Sequence, residues 1–593
     1  MVTGINTSGI TVGDNGKVNI SGLSSTIDSK SIIDALMAAK RLPAVTLENK
    51  ITANTDKITA YADFKTKVQD MRNALDLLRG NTAFGSTDVF KTKVASGTTE
   101  AVSGAPSTHV PSSIDTLLTA SISSAAATGT HTINIQQLAR AHQLRGDVQA
   151  STTGALSLSG TFDVNGQTIT IDSSDSLLDV RSKINTVSAT SGVTATVVTA
   201  SDTEHYLVLT SNDTGVANSI DFAGGNALTD SLGLTDGTGL PGGPIKTELR
   251  QAANAILSVD GITGIERASN EINDILEGVT LVLTKAEANT DVTLNIETDL
   301  NAVKTTLVSF AQAYNDLRAF VTDQRTASDR NGDGDVGDNE LGPLAYNTTV
   351  RNVMAKLGDM VVTTKDSNTD GFRSLSQIGI TINENYDLEV NDTILDSKLL
   401  TGTDQIRQLF SYEATVSDAR LTVLGRTADT QTGTYYLSIA GTDGAGDVLS
   451  ANIQTTAATG TGGADDGSVT VAGQVLTAVS GNGTGLSFFF DGDVSLGPVN
   501  DMTVTVSRGL ADSFYDFFND TVKATTGTLD TLTTQLTTEN EDYQTRIETI
   551  DTRLEVSRKV LENKYIAMEV ALSQLEQLKS TISSYFDTAN SSS

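Results

Sequence analysis

Residues 47–78, LENKITANTDKITAYADFKTKVQDMRNALDLL, carry apolar side chains at steps of mostly three or four positions. The stripe includes Leu47, Ile51 and Ile58. Because one helical turn takes 3.6 residues, this spacing places the apolar side chains on one face of an amphipathic helix. Gly80 follows, and glycine is common just after the end of a helix. We therefore predict a long helix that ends shortly before Gly80.

A second amphipathic stripe occupies residues 529–586 at the other end of the chain. Two such helices, more than 400 residues apart in sequence, can bury their apolar faces against each other or against neighbouring subunits. We therefore predict that both stripes form assembly contacts. The candidate contact residues are Leu47, Ile51, Ile58, Leu554, Leu561, Met568, Leu572 and Leu575.

The segments that flank these stripes are expected to be less ordered. Residues 1–26 are rich in Gly, Ser, Thr and Asn, a composition that buries too little apolar surface to fold alone. Helical spacing starts near Ile27 and is expected to break at Leu42-Pro43, because proline lacks the donor that a helix interior needs. The C-terminal residues 556–593 form a helix that we expect to be partly disordered until assembly.

Between the helical ends, the apolar period changes to two, which is typical of β-strands. Asn165-Gly166 and Asp260-Gly261 lie between such strands, and both pairs tolerate the positive φ angles of a tight hairpin. Helical spacing returns over residues 303–321 and again over residues 344–357. Residues 430–508 revert to β character.

These patterns predict an α+β multidomain fold. A helical, coiled-coil-like leg is built from the N- and C-terminal segments, and β-rich head domains are inserted between them. The predicted parts are a partly disordered N-terminal segment, the leg, two head domains, an accessory β module and a partly disordered C-terminal helix. The N-terminal segment is residues 1–45, and the leg combines residues 46–80, 299–429 and 509–555. The first head domain combines residues 81–130 and 246–298, and the second is residues 131–245. The accessory module is residues 430–508, and the C-terminal helix is residues 556–593.

The composition excludes several classes of protein. A formal net charge of −32 repels phosphate, so nucleic acid is not expected as a partner. Without cysteine, the chain has no disulfide, thiol nucleophile or zinc–thiolate site. No apolar run approaches the roughly 20 residues that span a bilayer, so membrane insertion is not expected. The first residues lack the basic and apolar regions of a cleaved signal peptide, so we expect any export to use another route.

The sharpest local motif is an acidic loop over residues 329–340, which fits the spacing of an EF-hand calcium loop. The ligands at positions 1, 3, 5, 7 and 12 are Asp329, Asn331, Asp333, Asp335 and Glu340. Ca²⁺ is thus a candidate ion, although no cofactor is required. The site is unpaired, so we expect weak binding that needs Ca²⁺ near 10⁻⁴–10⁻³ M, roughly the extracellular range. The alternative is an Asp- and Gly-rich turn without metal.

No catalytic constellation is visible in the sequence. Phosphate-binding glycine loops, nucleophile elbows and zinc-protease motifs do not occur in fitting contexts. Acidic residues are too frequent for any pair to stand out as the acid and base of a glycosidase. The histidines lack the spacing of metal ligands and are expected to be surface or strand residues: His109, His131, His142 and His205. We therefore expect no enzyme activity.

Several motifs, taken in order along the chain, resemble the flagellar hook-associated protein 2 family, which caps the bacterial flagellar filament. The N-terminal set is Ser21-Gly22-Leu23, Ile27, Ile32-Ile33, Leu36-Met37, Arg41 and Pro43. A strand element similar to one in that family and in hook proteins is Ile133-Asn134-Ile135-Gln136-Gln137-Leu138. Further matches are Phe310-Ala311-Gln312-Ala313-Tyr314-Asn315-Asp316-Leu317, Gly342-Pro343-Leu344, Gly371-Phe372-Arg373-Ser374-Leu375, Ile378-Gly379-Ile380 and Arg508-Gly509-Leu510-Ala511-Asp512. Each motif alone is moderately specific, whereas their order across residues 21–586 is specific.

The resemblance implies a secreted, homo-oligomeric ring at the filament tip, commonly of five subunits, that promotes insertion of flagellin without covalent chemistry. It places the leg in residues 1–80 with 515–593 and the head in residues 81–298. The implied partners are further copies of the chain, flagellin, other hook-associated proteins and a cytoplasmic export chaperone at the C-terminal region. The acidic loop and the segment 430–508 depart from a minimal member of the family.

Three alternatives remain open from the sequence. An acidic β head would suit an adhesin-like surface-recognition protein at the filament tip. A hook–filament junction protein is the nearest structural rival. An extracellular hydrolase stabilised by Ca²⁺ is the third, although no catalytic residues support it.

Overall fold

The computed structural model describes residues 10–12, 18–20, 28–80, 88–222, 226–237, 244–328, 341–365, 371–442, 448–455, 467–491 and 499–590. The chain forms two compact units. The first unit contains both ends of the chain, Met1–Asp88 and Lys304–Ser593, and the second is the intervening stretch Val89–Val303. Terminal helices with β-rich parts between them confirm the predicted α+β class.

Helices in the described residues range from single turns to 63 residues. Their bounds are α1 Ser29–Leu78, α2 Ile114–Leu117, α3 Leu177–Thr186, α4 Ser188–Ser191, α5 Ala227–Ser231, α6 Leu300–Arg325, α7 Thr348–Val362, α8 Asp392–Phe410, α9 Leu510–Val522 and α10 Thr528–Asn590.

Strand pairing throughout the described residues is antiparallel. The strand bounds are β1 Ile10–Val12, β2 Val18–Ile20, β3 Lys93–Ala101, β4 Leu118–Ile122, β5 Gly129–Gln137, β6 Ala141–Gln149, β7 Gly160–Val164, β8 Gln167–Ile171, β9 Val193–Ser201, β10 Glu204–Thr214, β11 Glu248–Arg250, β12 Ala255–Val259, β13 Ile262–Arg267, β14 Glu271–Ile272, β15 Val279–Leu283, β16 Thr290–Thr298, β17 Ile380–Ile382, β18 Leu388–Val390, β19 Glu413–Val416, β20 Leu421–Gly425, β21 Gly433–Thr442, β22 Val448–Gln454, β23 Gly467–Ala472, β24 Val475–Ala478, β25 Ser487–Phe490 and β26 Val499–Ser507. β1 pairs with β2 inside the segment 1–26 that was expected to be disordered.

α1 is a single 50-residue helix with Pro43 in its interior, so the predicted break at Leu42-Pro43 is wrong. The exposed ring of Pro43 removes one helical hydrogen bond, but side-chain contacts span the site. Arg41, just before the proline, donates to Glu48 on the next turns at 2.7 Å and to Asp551 of α10 at 2.8 Å. The end of α1 agrees with the prediction, because Gly80 follows the last turn with a φ of 73°.

The core of the first unit is built on the helical stripes. From α6 it takes the buried residues Leu307, Phe310, Tyr314, Leu317 and Val321 of the predicted stripe. Val303, the first residue of that stripe, is also buried but belongs to the second unit. α7 begins at Thr348 rather than near Leu344, because Asn347 caps it by accepting the backbone N–H of Thr349 and Val350. Leu344 is buried in the preceding turn.

The second unit contains two β modules with separate cores. The first module holds the sheets β13-β12-β5-β16-β3 and β14-β15-β4, and the other holds β11-β6-β10-β9 with the hairpin β7-β8. The boundary expected between residues 130 and 131 falls inside β5, whose Ile133 and Ile135 belong to the first core. The chain crosses to the second sheet between Gln137 and Ala141.

Both predicted hairpins of the second unit are confirmed. Asn165 and Gly166 have φ angles of 48° and 77° and join Val164 to Gln167, which pair across β7 and β8. Asp260 and Gly261, at 51° and 81°, join β12 to β13 in the same way. Two successive residues with positive φ match the right-handed twist of the strands that they connect.

The predicted accessory β segment forms an eight-stranded sheet in the order β19-β26-β21-β22-β23-β24-β25-β20. It begins at Glu413, before the expected boundary at residue 430, because β19 and β20 form its two ends. Its core is aromatic and aliphatic, with Tyr435, Phe488 and Phe490 fully buried. We call these residues, 413–507, the eight-stranded module.

Candidate functional site

The terminal helices α1 and α10 pack against each other in antiparallel orientation. Asp34 near the start of α1 meets Arg558 of α10 at 2.7 Å, and Arg41 meets Asp551 at 2.8 Å. Further along α1, Asn54 donates to Asn540 at 3.1 Å. As residue numbers rise along α1, those of the partners on α10 fall by nearly the same amount, so one register is kept over many turns.

Ion pairs keep the carboxylates of this helix pair charged. Arg41 lowers the pKa of Asp551, and Lys65 followed by the backbone N–H of Thr525 lowers that of Asp530. For Asp34, the larger effect on the pKa comes from Lys30 of the same helix, and Arg558 adds to it. The pairs are partly exposed, so they fix the register of the helices more than they stabilise them.

The apolar residues of α10 are buried near its start and exposed near its end. Leu529 at its start is fully buried and Ile547 is 4% exposed, whereas Leu575 is 61% and Phe586 72% exposed. On α1, which runs the opposite way, burial increases towards the C-terminal turns, where Phe64, Val68 and other residues are completely buried. The helix pair is therefore anchored at one end in the core of the first unit, and its far end has little core to cover it.

The predicted contact residues occupy different levels of this gradient. Leu47, Ile51 and Ile58 on α1 are half-buried, and so are Leu554, Leu561, Met568 and Leu572 on α10, whereas Leu575 is exposed. The structure brings both groups onto the paired helices. The single chain leaves their contacts with other subunits or with a filament as a prediction.

An exposed apolar stripe on the second half of α10 was only partly found from the sequence. It comprises Val556, Val560, Ile566, Val570, Leu575, Leu578, Ile582, Tyr585 and Phe586, which we call the distal surface. Leu575 alone was among the predicted contacts. The spacing of the others is less regular, and alternative faces of a long helix cannot be ranked before its partner helix is known. Exposed apolar stripes of this length mark interaction sites.

A buried ion cluster lies where α1, α9 and the eight-stranded module meet. The carboxylate of Asp512 on α9 is fully buried and accepts hydrogen bonds from three arginines: Arg79 at 3.2 Å, Arg508 at 2.6 Å, and Arg426. Arg426 follows β20 and is itself 1% exposed in its side chain. Nothing in the sequence predicted this cluster, because its members are up to 433 residues apart.

The acidic loop 329–340 lies outside the described residues, so its predicted Ca²⁺ ligands Asp329, Asn331, Asp333, Asp335 and Glu340 stay a prediction. Where the chain is described on either side, the backbone N–H of Gly342 donates to the carbonyl of Gln324 at 2.8 Å and closes the loop. Helices lie on both sides as predicted, but α7 begins only at Thr348, eight residues after Glu340. Among the described residues, no group of His, Asp and Glu is arranged as metal ligands.

The four histidines take part in local structural contacts. Nε2 of His142 lies 2.8 Å from Glu248, and its Nδ1 accepts the backbone N–H of Ile220 at 2.8 Å. The ring nitrogens of the others contact Thr290, Asp260 and Thr199 in turn for His109, His131 and His205, at 2.7 to 2.9 Å. These contacts join neighbouring strands and loops of the second unit.

A family model for the flagellar hook-associated protein 2 C-terminus matches residues 252–577, more than half of the chain. The chain belongs to the flagellar hook-associated protein 2 family. The model for the N-terminus of that family matches residues 25–142, and a flagellin hook IN motif matches residues 156–213. The resemblance seen in the sequence is thus confirmed, and the family is that of the flagellar filament cap.

Individual members of the hook-associated protein 2 family are distant from this chain. The B-type flagellar hook-associated protein 2 of Pseudomonas aeruginosa is 28% identical over 63% of this chain and 76% of its own length. The Salmonella typhimurium flagellar hook-associated protein 2 is 28% identical over 70% of this chain and 83% of its own length. A crystal structure of the flagellar cap protein FliD D1-D2-D3 domains from Escherichia coli covers 59% of this chain and 89% of that one, at 26% identity and a TM-score of 0.45.

A helix that crosses a bilayer needs roughly 20 predominantly apolar residues. Over the described ranges, no helix of this family member is both long enough and apolar enough to do so.

Proposed function

We propose that this protein is secreted, forms the cap at the tip of the bacterial flagellar filament and promotes the polymerisation of flagellin there without catalysis. The observation that carries the proposal is the distal surface of α10, which a single chain leaves exposed. Nine apolar side chains at the far end of an anchored helix pair need a partner to cover them. Membership of the cap family supports further copies of the chain and the end of the filament as that partner.

The proposed mechanism is geometric. Copies of the chain form a ring, commonly of five subunits in this family, in which the α1–α10 pairs point into the filament end. A ring whose symmetry differs from that of the filament leaves one gap at a time, and flagellin enters that gap. The second unit, which has its own cores, stays outside the filament and forms the plate.

The partners of the distal surface change with the stage of assembly in this proposal. Before export, a cytoplasmic chaperone covers the apolar residues of α10. After export, flagellin, other copies and neighbouring hook-associated proteins replace it. The net charge of −32 supports a protein that contacts neither nucleic acid nor anionic membrane surfaces.

A deletion strain tests the cap proposal. We expect it to release unpolymerised flagellin and to be non-motile, and the wild-type gene to restore filaments. Leu575→Asp combined with Leu578→Asp should fail to restore them, because two charges on the distal surface oppose its burial. Gln574→Asp with Gln577→Asp is the matched control, since it adds the same charge to neighbouring exposed positions of α10.

Two results would contradict the cap proposal. Normal filaments in the deletion strain would remove the role in polymerisation. Immunolabelling at the junction of hook and filament, rather than at the tip, would assign the protein to the junction instead.

We also propose that the acidic loop 329–340 binds Ca²⁺ weakly. The proposal rests on the ligand spacing and on the closure of the loop by Gln324 and Gly342. Calorimetry at millimolar Ca²⁺ should show heat of binding that Glu340→Gln abolishes, because position 12 supplies two of the ligand oxygens. Glu384→Gln, in a turn outside the loop, is the control. No heat with the wild-type chain would rule the site out.

A further inference from the structure

The strand β9 is an open edge of the four-stranded sheet in the second unit. It covers Val193–Ser201 and pairs only with β10, at the end of the order β11-β6-β10-β9. Natural edge strands are usually protected by charged side chains, proline, short length or a β-bulge. The register shift of β9 lies at its end, between Thr199 and Ser201, so its edge is regular up to Thr199. β9 has nine residues with neither charge nor proline, although the whole chain carries a net charge of −32.

The outward backbone groups of β9 are only partly satisfied. Asn185 of α3 covers one position: its amide accepts the N–H of Ala195 at 2.7 Å and donates to the carbonyl of Ala195 at 2.9 Å. In an antiparallel sheet every second residue directs both groups to the same side, so Val197 and Thr199 also direct theirs outward. Among the hydrogen bonds of the described residues, none reaches these outward groups.

Space and charge next to this edge suit an added strand. A groove of about 680 Å³ runs between α3 and β9 and is lined by Arg181, Asn185 and Val197 among others. Arg181 contacts the hydroxyl of Ser182 and has no carboxylate partner among the described residues. The turn after β9 carries Asp202, and β10 begins with Glu204. One edge therefore presents an uncharged centre, a basic groove at one end and an acidic turn at the other.

We infer that β9 pairs in antiparallel register with β9 of a second copy of this chain, about a two-fold axis at Val198. In this register Val197 faces Thr199 of the second copy, and the two such pairs form four backbone hydrogen bonds. The turn at Asp202 of each copy then lies towards the end of the other β9 that borders the groove with Arg181. The edge is complementary to itself, which is why a second copy fits it better than an unrelated strand.

This contact differs from the contacts within a cap ring and does not depend on the proposed function. An isologous two-fold contact closes after two copies, whereas a ring of five needs a different surface on each side of the subunit. One added pair of edge strands buries less surface than a standard stable interface, so the dimer is weak and depends on concentration. It links copies of the chain, or two rings, through their second units.

Val198→Cys tests the register directly, because the chain contains no cysteine. On the two-fold axis the two Val198 residues form a non-hydrogen-bonded pair with Cα atoms about 4.5 Å apart, a distance that a disulfide spans. Under mild oxidation of the full chain we expect at least about tenfold more disulfide-linked dimer than from Val216→Cys. Val216 is the matched control, since it is 55% exposed against 49% for Val198.

Two further variants in the Val198→Cys background test whether the cross-linking depends on backbone pairing and on charge. Val197→Pro removes an outward N–H that β10 does not use, and an edge strand tolerates proline there, so cross-linking should fall to the control level. Arg181→Glu places like charges beside the acidic turn and should lower it as well, even if Val197→Pro does not fold. The proposal is overturned if Val198→Cys forms no more cross-linked dimer than Val216→Cys, or if Val197→Pro and Arg181→Glu both fold and still cross-link normally. It is also overturned if Val198→Cys cross-links with Leu249→Cys in a mixture but not with itself. That last result would show pairing of β9 with β11 of the next copy.

Discussion

Among single residues, Asp512 is the one on which most parts of the first unit depend. Its buried carboxylate joins Arg79 from the end of α1, Arg426 from the eight-stranded module and Arg508 from the start of α9. Close to this cluster, burial raises the pKa of the Tyr412 hydroxyl and lowers the pKa of Lys365. A charge held in such surroundings needs all its partners, because an unpaired buried ion is costly.

We predict that Asp512→Asn lowers the stability of the first unit strongly. The amide keeps the size of the side chain but removes the buried charge that Arg79, Arg426 and Arg508 share, and breaking a buried pair costs about 3–5 kcal/mol. The outer carboxylates Asp76 and Asp516 still contact these arginines in the variant, but both are more exposed than Asp512. Urea denaturation followed by circular dichroism measures the loss. Asp316→Asn is the matched control, since Asp316 pairs with Lys67 at a partly exposed position and should cost at most about 1 kcal/mol. Equal losses for the two variants would show that burial adds nothing to the Asp512 contacts.

In the second unit, Glu287 makes folding depend on pH. It accepts hydrogen bonds from Lys285 at 2.7 Å, Ser112 at 2.7 Å and Thr290 at 2.7 Å, and in that order these groups hold its pKa far below its ordinary value of 4.5. A carboxylate whose pKa is lowered by folding contributes stability that is present above its unfolded pKa and is lost as the pH falls below it.

We therefore predict that hydrogen exchange in β16 accelerates as the pH falls from 5 to 3 by more than the intrinsic exchange rates explain, and that Glu287→Gln removes this excess. The glutamine amide does not titrate, so position 287 adds no pH dependence to the stability of this variant over that range. Glu266→Gln, at an exposed position on β13, is the control and should keep the wild-type pH dependence. An unchanged excess in Glu287→Gln would assign the effect to other carboxylates.

At the scale of elements, the sequence predicted those parts whose signals are local. The 3.6-residue period located α1, α6 and α10, and the two hairpin turns were found because Asn-Gly and Asp-Gly permit positive φ at adjacent residues. The continuity of α1 through Pro43 could not be predicted, since it depends on contacts with α10, more than 500 residues away. The distal surface was found only in part for the same reason: which face stays exposed depends on where the partner helix lies.

Pro43 is a test of that tertiary effect. We predict that Pro43→Ala raises the stability of the N-terminal half of α1, because proline inside a helix is about 3 kcal/mol less favourable than alanine. The ring is exposed, so little packing is lost. Slower hydrogen exchange of the amides over residues 36–47 is the expected measurement. Val45→Ala, also exposed on α1, should change exchange only slightly, and faster exchange in Pro43→Ala would show that the proline is needed for the shape of the helix.

At the scale of the whole molecule, the eight-stranded module is attached so that it can be removed. The chain enters it through β19 and leaves through β26, and these strands pair with each other from Glu413 opposite Ser507 to Val416 opposite Val504. The next residues continue the ladder, because the N–H of Ser417 donates to the carbonyl of Thr503 at 3.0 Å. The module has a core of its own, and the family model spans it within residues 252–577.

We predict that replacing residues 418–502 with Asn-Gly leaves the first unit folded and restores motility to the deletion strain. A two-residue turn closes the hydrogen-bonded pair Ser417 and Thr503 directly, so β19 and β26 remain a hairpin. The excision also removes Arg426 from Asp512, and Arg426→Met in the full chain is the control that separates this loss from the loss of the module. A folded excision variant that leaves the strain non-motile, while Arg426→Met restores it, would give the module an essential part in capping. Restored motility would place the capping function in the paired terminal helices and the second unit, in agreement with the proposed function.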